Sequence, residues 1–316
     1  MGRWVVTVSL MGLVACSDAV GQHAGVPPLL ACDGEYQAPR TVGRLPATIL
    51  SEVSGIATSR VTADSLWLHN DSGDAARLFA VDTEGQLRGE LHLPGVVNTD
   101  FEDMATSRCP DSIQGCLWVA DIGNNLIYRP VFTVHIVPEP SLAELDPHRP
   151  LVGQDVISLR FRYPEEPIDS EALVVADDGS RFWTIEKTDR PVSRIYEYSA
   201  PFVDSEVVEV MEVGLLPVPG VPVRFGQLIS GADLHPSGTR ILVRVYSGVY
   251  EYSLATPWDL TDLDGVAARR VVAGPFSEPQ GEAVAYDGGG VGFWTVSEDR
   301  TGVGRQPLHH YSCLSE

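Results

Sequence analysis

The side chains with the most chemistry to offer are carboxylates, and they recur along the chain. Glu52, Asp100, Glu102, Asp103, Asp169, Glu171, Asp233 and Glu282 stand at the head of, or inside, short aliphatic runs. A second set follows each run's successor: Asn70, Asp71 and Asp74, then Asp121, Glu186 with Lys187, Arg244 with Tyr246, and Glu298. Converging oxygens suit a hard cation, and Ca²⁺ takes about 6–8 of them. Without a counter-charge, carboxylates held together repel one another and keep their protons to higher pH. The competing role is bracing, in which the same oxygens accept backbone N–H groups of a neighbouring segment. Nucleophilic catalysis has no matching signature: there is no G-x-S-x-G, no phosphate-binding P-loop and no C-x-x-C. Asp71 and Asp74 resemble the start of an EF-hand loop, but they stand three residues apart where that loop has ligands two apart, and the other ligand positions are missing, so this segment reads as a turn.

What positions these groups is a repeat. Four tryptophans sit in one context, Leu66-Trp67, Leu117-Trp118, Phe182-Trp183 and Phe293-Trp294, and Ile241-Leu242-Val243 is a copy without tryptophan. The unit is roughly 50–65 residues, the length of a four-stranded propeller blade with insertions. The Trp-bearing run is the second strand of each blade. Before it comes an innermost strand: Ser54–Ala57, Glu102–Ala105, Glu171–Val174, Ala232–Leu234 and Glu282–Ala285. Third strands are expected at Arg77–Val81, Val131–Val137, Arg194–Tyr198, Val249–Ser253 and Leu308–Tyr311. Outer strands are expected at Gln86–Leu93, Asp155–Arg162, Glu206–Val213 and Arg269–Ala273. The fifth outer strand comes from the N-terminal side, Thr41–Ile49, which closes the ring. The fold class is therefore all-β, a β-propeller of five four-stranded blades. Stretches 138–153 and 214–229 leave room for a sixth.

In such a ring the loops joining one blade to the next open on the same face as the loops between second and third strands. Both acidic sets therefore meet around one mouth of the channel. The expected metal ligands are Glu52, Asn70, Asp121, Glu171, Asp233 and Glu282, with Ca²⁺ as the cation. The expected ligand-binding groups are Asp71, Glu102, Asp103, Glu186, Lys187, Arg244, Tyr246 and Glu298. Cys32, Cys109, Cys116 and Cys313 fall on the opposite face. Their even number in an exported chain suggests two disulfides, Cys32–Cys313 tying the ends of the ring and Cys109–Cys116 stapling a local hairpin.

The 316 residues carry a formal charge of −21, with 22 Lys+Arg against 43 Asp+Glu. That excludes nucleic acid as a general partner, since it needs a basic face. Residues 1–15 read as a signal peptide: Arg3, then an apolar stretch too short to span a bilayer. It runs into Leu13-Val14-Ala15-Cys16, which resembles the bacterial lipoprotein box and implies lipidation of Cys16. Residues 16–35 then form a tether and residues 36–316 the propeller. Ser17 after the cysteine resembles an outer-membrane sorting signal, so the chain is expected on the cell envelope, held to the membrane by its lipid and monomeric.

The runs HNDSGD (69–74), FEDMA (101–105), ADIGNN (120–125), DSEAL (169–173), SGADLHPSG (230–238), RVYSGVY (244–250), EPQGEA (278–283) and TVSE (295–298) resemble an uncharacterised group of bacterial exported β-propeller lipoproteins. That group is distantly similar to phytase-like esterase propellers, and the resemblance spans roughly residues 50–300. It implies the propeller fold. It also implies an alternative activity, a Ca²⁺-dependent hydrolase. A phytase-like phosphoesterase would use Lys187, Arg190, Arg244 and Arg300 to hold phosphate; a lactonase-like enzyme would use one central ion. Asn124 departs from the aspartate the group leads one to expect there. The reading the residues favour is an envelope-tethered propeller that binds a small molecule or an envelope protein at an acidic, calcium-holding mouth.

Overall fold

Every Trp-type run is a strand: Ser65–Asn70, Gly115–Asp121, Arg181–Glu186, Arg240–Val245 and Gly292–Ser297. The computed structural model describes residues 31–218, 226–273, 278, 280–298 and 306–314. Each second strand pairs antiparallel with an innermost strand, Val53–Thr58, Phe101–Arg108, Ser170–Val175, Ile229–Leu234 or Gly281–Tyr286. On its other side lies a third strand, Arg77–Asp82, Phe132–Pro138, Val192–Ser199, Gly248–Ser253 or Pro307–Ser312. The inner two strands of each blade are buried on both faces, which is why they read as continuous apolar runs rather than alternating ones. The innermost strands touch in ring order and the fifth contacts the first, so the protein is a five-bladed β-propeller.

Outer strands are Leu87–His92, Ile157–Arg162, Met211–Pro217 and Arg269–Ala273. Arg40–Arg44 pairs with the last third strand and closes the ring, shorter than the expected Thr41–Ile49 because the chain turns at Pro46. The expected outer strand 206–213 is divided. Val207–Glu209 runs parallel along the outer strand of blade two, and Met211–Pro217 serves blade three. Leu151–Val152 likewise lies parallel to the outer strand of blade one. Both additions cover sheet edges that would otherwise present unpaired backbone groups. Of the stretches 138–153 and 214–229, the first supplies the edge strand Leu151–Val152 and the second the end of Met211–Pro217, and no sixth blade forms from the described residues.

Both disulfides form, Cys32–Cys313 and Cys109–Cys116, on the face away from the acidic mouth. There the buried Glu251 pairs with Arg240 and Arg269 and accepts from Tyr36 and Tyr286 Oη, both at 2.9 Å. The same two arginines donate to the Cys32 carbonyl at 2.6 and 2.9 Å, so the incoming chain is pinned by ion pairs as well as by sulfur. Residues 1–30, with Cys16 and the signal segment, and Arg300 lie outside the described residues.

Candidate functional site

One irregularity repeats in all five blades. The pairing of each innermost strand slips by one residue at its second position, and the skipped residues are Ser54, Glu102, Glu171, Ser230 and Glu282. A bulge leaves its extra residue out of the ladder and re-aims its side chain. Here Ser54 and the three glutamates reach one cavity at the mouth. The two serines bond the next blade, Ser54 Oγ to Glu102 O at 2.7 Å and Ser230 Oγ to Gly281 O at 2.7 Å. The three glutamates line a cavity of about 190 Å³, together with Glu52, Asp71, Asn125, Lys187, Tyr246, Gln280 and Glu298.

Two kinds of acid meet in and beside this cavity. Glu171 is ion-paired with Lys187, the chain's one lysine, whose ammonium also lies 5.7 Å from the Tyr246 ring centre. Burial would strip Lys187 of its proton, but Glu171 beside it wins and holds it charged. Burial pushes the Glu171 carboxyl well up despite that partner. Glu282 accepts from the Gln280 amide, and burial pushes its pKa up to about 7.

The second kind is Asp71, Asp100 and Glu102, at the junction of blades one and two. One oxygen of each lies within 4.8 Å of the others. Among the described residues no arginine or lysine forms an ion pair with them. Glu102 is buried, its Oε2 has only a long contact from Ser54 Oγ at 3.3 Å, and its Oε1 has no partner among the described residues. Gly123 leaves room for this oxygen; a Cβ there would collide with Glu102 Oε1 and Asp100 Oδ2. Burial first, then the charges of Asp100, Glu298 and Glu52, push Asp71 up to about 6. Burial and neighbouring carboxylates likewise push Glu102 well up. Ca²⁺ sits about 2.3–2.6 Å from its oxygens, so ligands on opposite sides of it are roughly 4.6–5.2 Å apart. Three carboxylate oxygens within 4.8 Å of one another are close enough to share one hard cation.

The structure separates the remaining expected groups from this cavity. Asn70 and Asp121, at the ends of their second strands, brace the incoming loops: Asn70 Oδ1 accepts Glu52 N at 3.3 Å, and Asp121 accepts Thr99 N and Asp100 N at 3.2 and 3.1 Å. Their other valences go to Ile49 O, Asp74 and Arg129. Glu186, at the same strand position, is held by Arg190 and Arg194. Asp103 is fully buried and accepts Met104, Leu173 and Ala232 N at 2.9, 2.9 and 3.1 Å, tying three blades together. Asp233 stands at the fifth position of its strand, near the other face, and accepts Tyr286 N at 2.7 Å. Arg244 is paired with Glu278 and bonds Ala283 O at 3.0 Å, inside the junction of blades four and five. Asn124 suits its place better than aspartate would. Its amide donates to Ile168 O at 3.1 Å while its carbonyl accepts Tyr128 N and Arg129 N, and a carboxylate has no proton to donate there. Of the expected ligands, Glu52, Asp71, Glu102, Glu171, Lys187, Tyr246, Glu282 and Glu298 do share the cavity.

Asp100 was the acid easiest to pass over, because it precedes its strand by one residue in a Thr-Asp turn. The alignment of VSGIA, FEDMA, SEALV, ISGAD and GEAVA would have isolated the second-position glutamates and set Asp233 apart.

No family model matches this chain, and no curated protein matches it. Among solved structures, two similar chains are these. Kuenenia stuttgartiensis hydrazine synthase is similar at 11% identity and a TM-score of 0.42, over 82% of this chain and 95% of that one. A chain of the mitotic checkpoint complex is similar at 12% identity and a TM-score of 0.38, over 83% of this chain and 63% of that one. The structure itself shows a five-bladed β-propeller with an acidic cluster at one mouth.

Proposed function

We propose that this protein is a cation-dependent binding propeller, tethered to the cell envelope through Cys16, that holds Ca²⁺ on Asp71, Asp100 and Glu102 and recognises a small anionic ligand through it. The observation that carries the reading is the buried Oε1 of Glu102, without a partner among the described residues, beside two further carboxylates. An unpaired buried acceptor is costly, and a cation both satisfies it and offsets the repulsion of the trio. Three carboxylates leave roughly half of a calcium shell to water or to a ligand. Calorimetric titration with CaCl₂ tests this. One site is expected in the wild type, with Asp100→Asn losing about 100-fold in affinity and Glu282→Gln losing little. No heat in the wild type sinks the reading.

A second reading, Ca²⁺-dependent hydrolysis, is favoured by Glu282, which lines the same cavity with a pKa near 7, the value suited to a general base. It requires turnover of a phosphomonoester or a lactone that Glu282→Gln abolishes while Ca²⁺ binding persists.

A further inference from the structure

The channel has a second mouth, and a cavity of about 330 Å³ lies there that shares no lining residue with the acidic one. All five blades line it near the far ends of their innermost strands, through Thr58, Thr106, Val175, Leu234 and Tyr286. Its size is that of a small-molecule site.

The hydroxyl groups around it have spent their protons. Thr58 Oγ1 donates to Tyr286 O at 2.6 Å, Thr106 Oγ1 to Thr58 O at 2.8 Å, Tyr286 Oη to Glu251 at 2.9 Å, and Ser59 Oγ to Glu139. A hydroxyl that has donated can only accept. Of the three carboxylates lining the cavity, two are already served. Asp177 pairs with Arg60 and Arg108. Asp287 accepts Gly289 N and Val291 N at 3.1 and 3.2 Å and lies 3.1 Å from His310 Nε2. Asp233 accepts Leu234 N at 2.9 Å and Tyr286 N at 2.7 Å, and no cationic side chain among the described residues pairs with it. Burial pushes its pKa up to about 7.

Trp258 lines the same cavity. Its φ of +61 is an outlier for so bulky a residue. The fold over-determines it. Trp258 N bonds Gly238 O at 2.8 Å, and Arg181 Nη2 donates to Trp258 O at 2.9 Å. The indole lies on Gly238, where a Cβ would fall 2.1 Å from it. Strain held in place from two blades points to a use for the ring.

We infer that this cavity binds a primary ammonium ion with a short aliphatic body: its N–H groups donate to Asp233, its charge sits by the Trp258 ring, and its body packs on Ala57, Ala105, Val175 and Leu234. A metal ion asks for about six oxygens, and two of the three carboxylates here are taken. An anion or a neutral polyol asks for donors, and the Arg60 guanidinium is committed to Asp177. An ammonium brings three donors and a charge that a tryptophan ring attracts. The site is independent of the cation at the other mouth.

The probes are n-butylammonium chloride and 1-butanol, titrated by calorimetry at pH 8, where the amine is charged and Asp233 ionised. Butylammonium is expected to bind about 30-fold tighter than butanol. Trp258→Gly, which suits the left-handed backbone, is expected to lose about tenfold in butylammonium affinity. Asp233→Asn is expected to bring butylammonium to the butanol value. Equal binding of the two probes, or no binding of butylammonium, overturns the inference. So does butylammonium binding that survives Trp258→Gly, or a folded Asp233→Asn, unchanged, since the ion then sits elsewhere. If Asp233→Asn fails to fold, the probe ratio and Trp258→Gly still decide.

Discussion

The two sides of the mouth solve the same electrostatic problem differently. Toward blades three and five, Glu171 and Glu282 are served from within, by Lys187 and by the Gln280 amide. Toward blades one and two, Asp71, Asp100 and Glu102 crowd within 4.8 Å, with Glu102 Oε1 unpartnered among the described residues. Acidity alone therefore does not mark a cation site. A buried carboxylate with a built-in cation is part of the scaffold; one without it asks for a cation from solution.

The sharpest way to break this contrast is to remove the internal counter-charge. Glu171→Gln leaves Lys187 buried and uncompensated, which should cost about 3 kcal/mol of stability, equally in calcium and in chelator. The double variant Glu171→Gln/Lys187→Met should recover most of that loss in denaturant titrations, because the pair is removed together. Asp100→Asn should do the opposite. Its chelated form should melt at the wild-type temperature or slightly above, since one repulsion is gone, while the calcium-induced rise in Tm should disappear.

Acidity of the medium should sharpen the contrast further. Burial raises the folded-state pKa of Asp71 to about 6, above its ordinary value near 4. Between those values the folded protein binds more protons than the unfolded chain. Its contribution to stability is therefore present at low pH and is lost as pH rises through about 6. Calcium competes with those protons, so the Tm difference between calcium and chelator should be small at pH 5 and grow toward pH 7.5. A difference that is flat with pH would contradict the assignment of Asp71. The smallest effect expected is from Gly123→Ala. Its new methyl group meets Glu102 Oε1 and Asp100 Oδ2, so calcium affinity should fall by about tenfold with little change in the chelated protein.

The strands were readable because each innermost and second strand is buried on both faces, which writes the fold as five apolar pairs in a regular period. The mouth was readable only as a neighbourhood. Burial and strand position do not say which oxygens are already spoken for. Asn70 and Asp121 look like ligands until their loop partners are seen, and Asp233 looks equivalent to Glu282 until the strands are aligned on their bulges, which match Glu282 to Ser230. Arg244 illustrates the same limit, since its partner Glu278 is far along the chain and belongs to the next blade. The edge strands Leu151–Val152 and Val207–Glu209 were hidden for another reason: they are short, partly exposed and pair with a blade other than the one they lead to.

The most direct test is the position of a bound ion. A crystal grown with CaCl₂, measured at a wavelength where calcium scatters anomalously, should show one peak about 2.3–2.6 Å from an oxygen of each of Asp71, Asp100 and Glu102. Lys187 should remain on Glu171. A peak on the channel axis between Glu171 and Glu282 with Lys187 displaced, or no peak at the mouth, would contradict the division between the internally served and the cation-seeking acids.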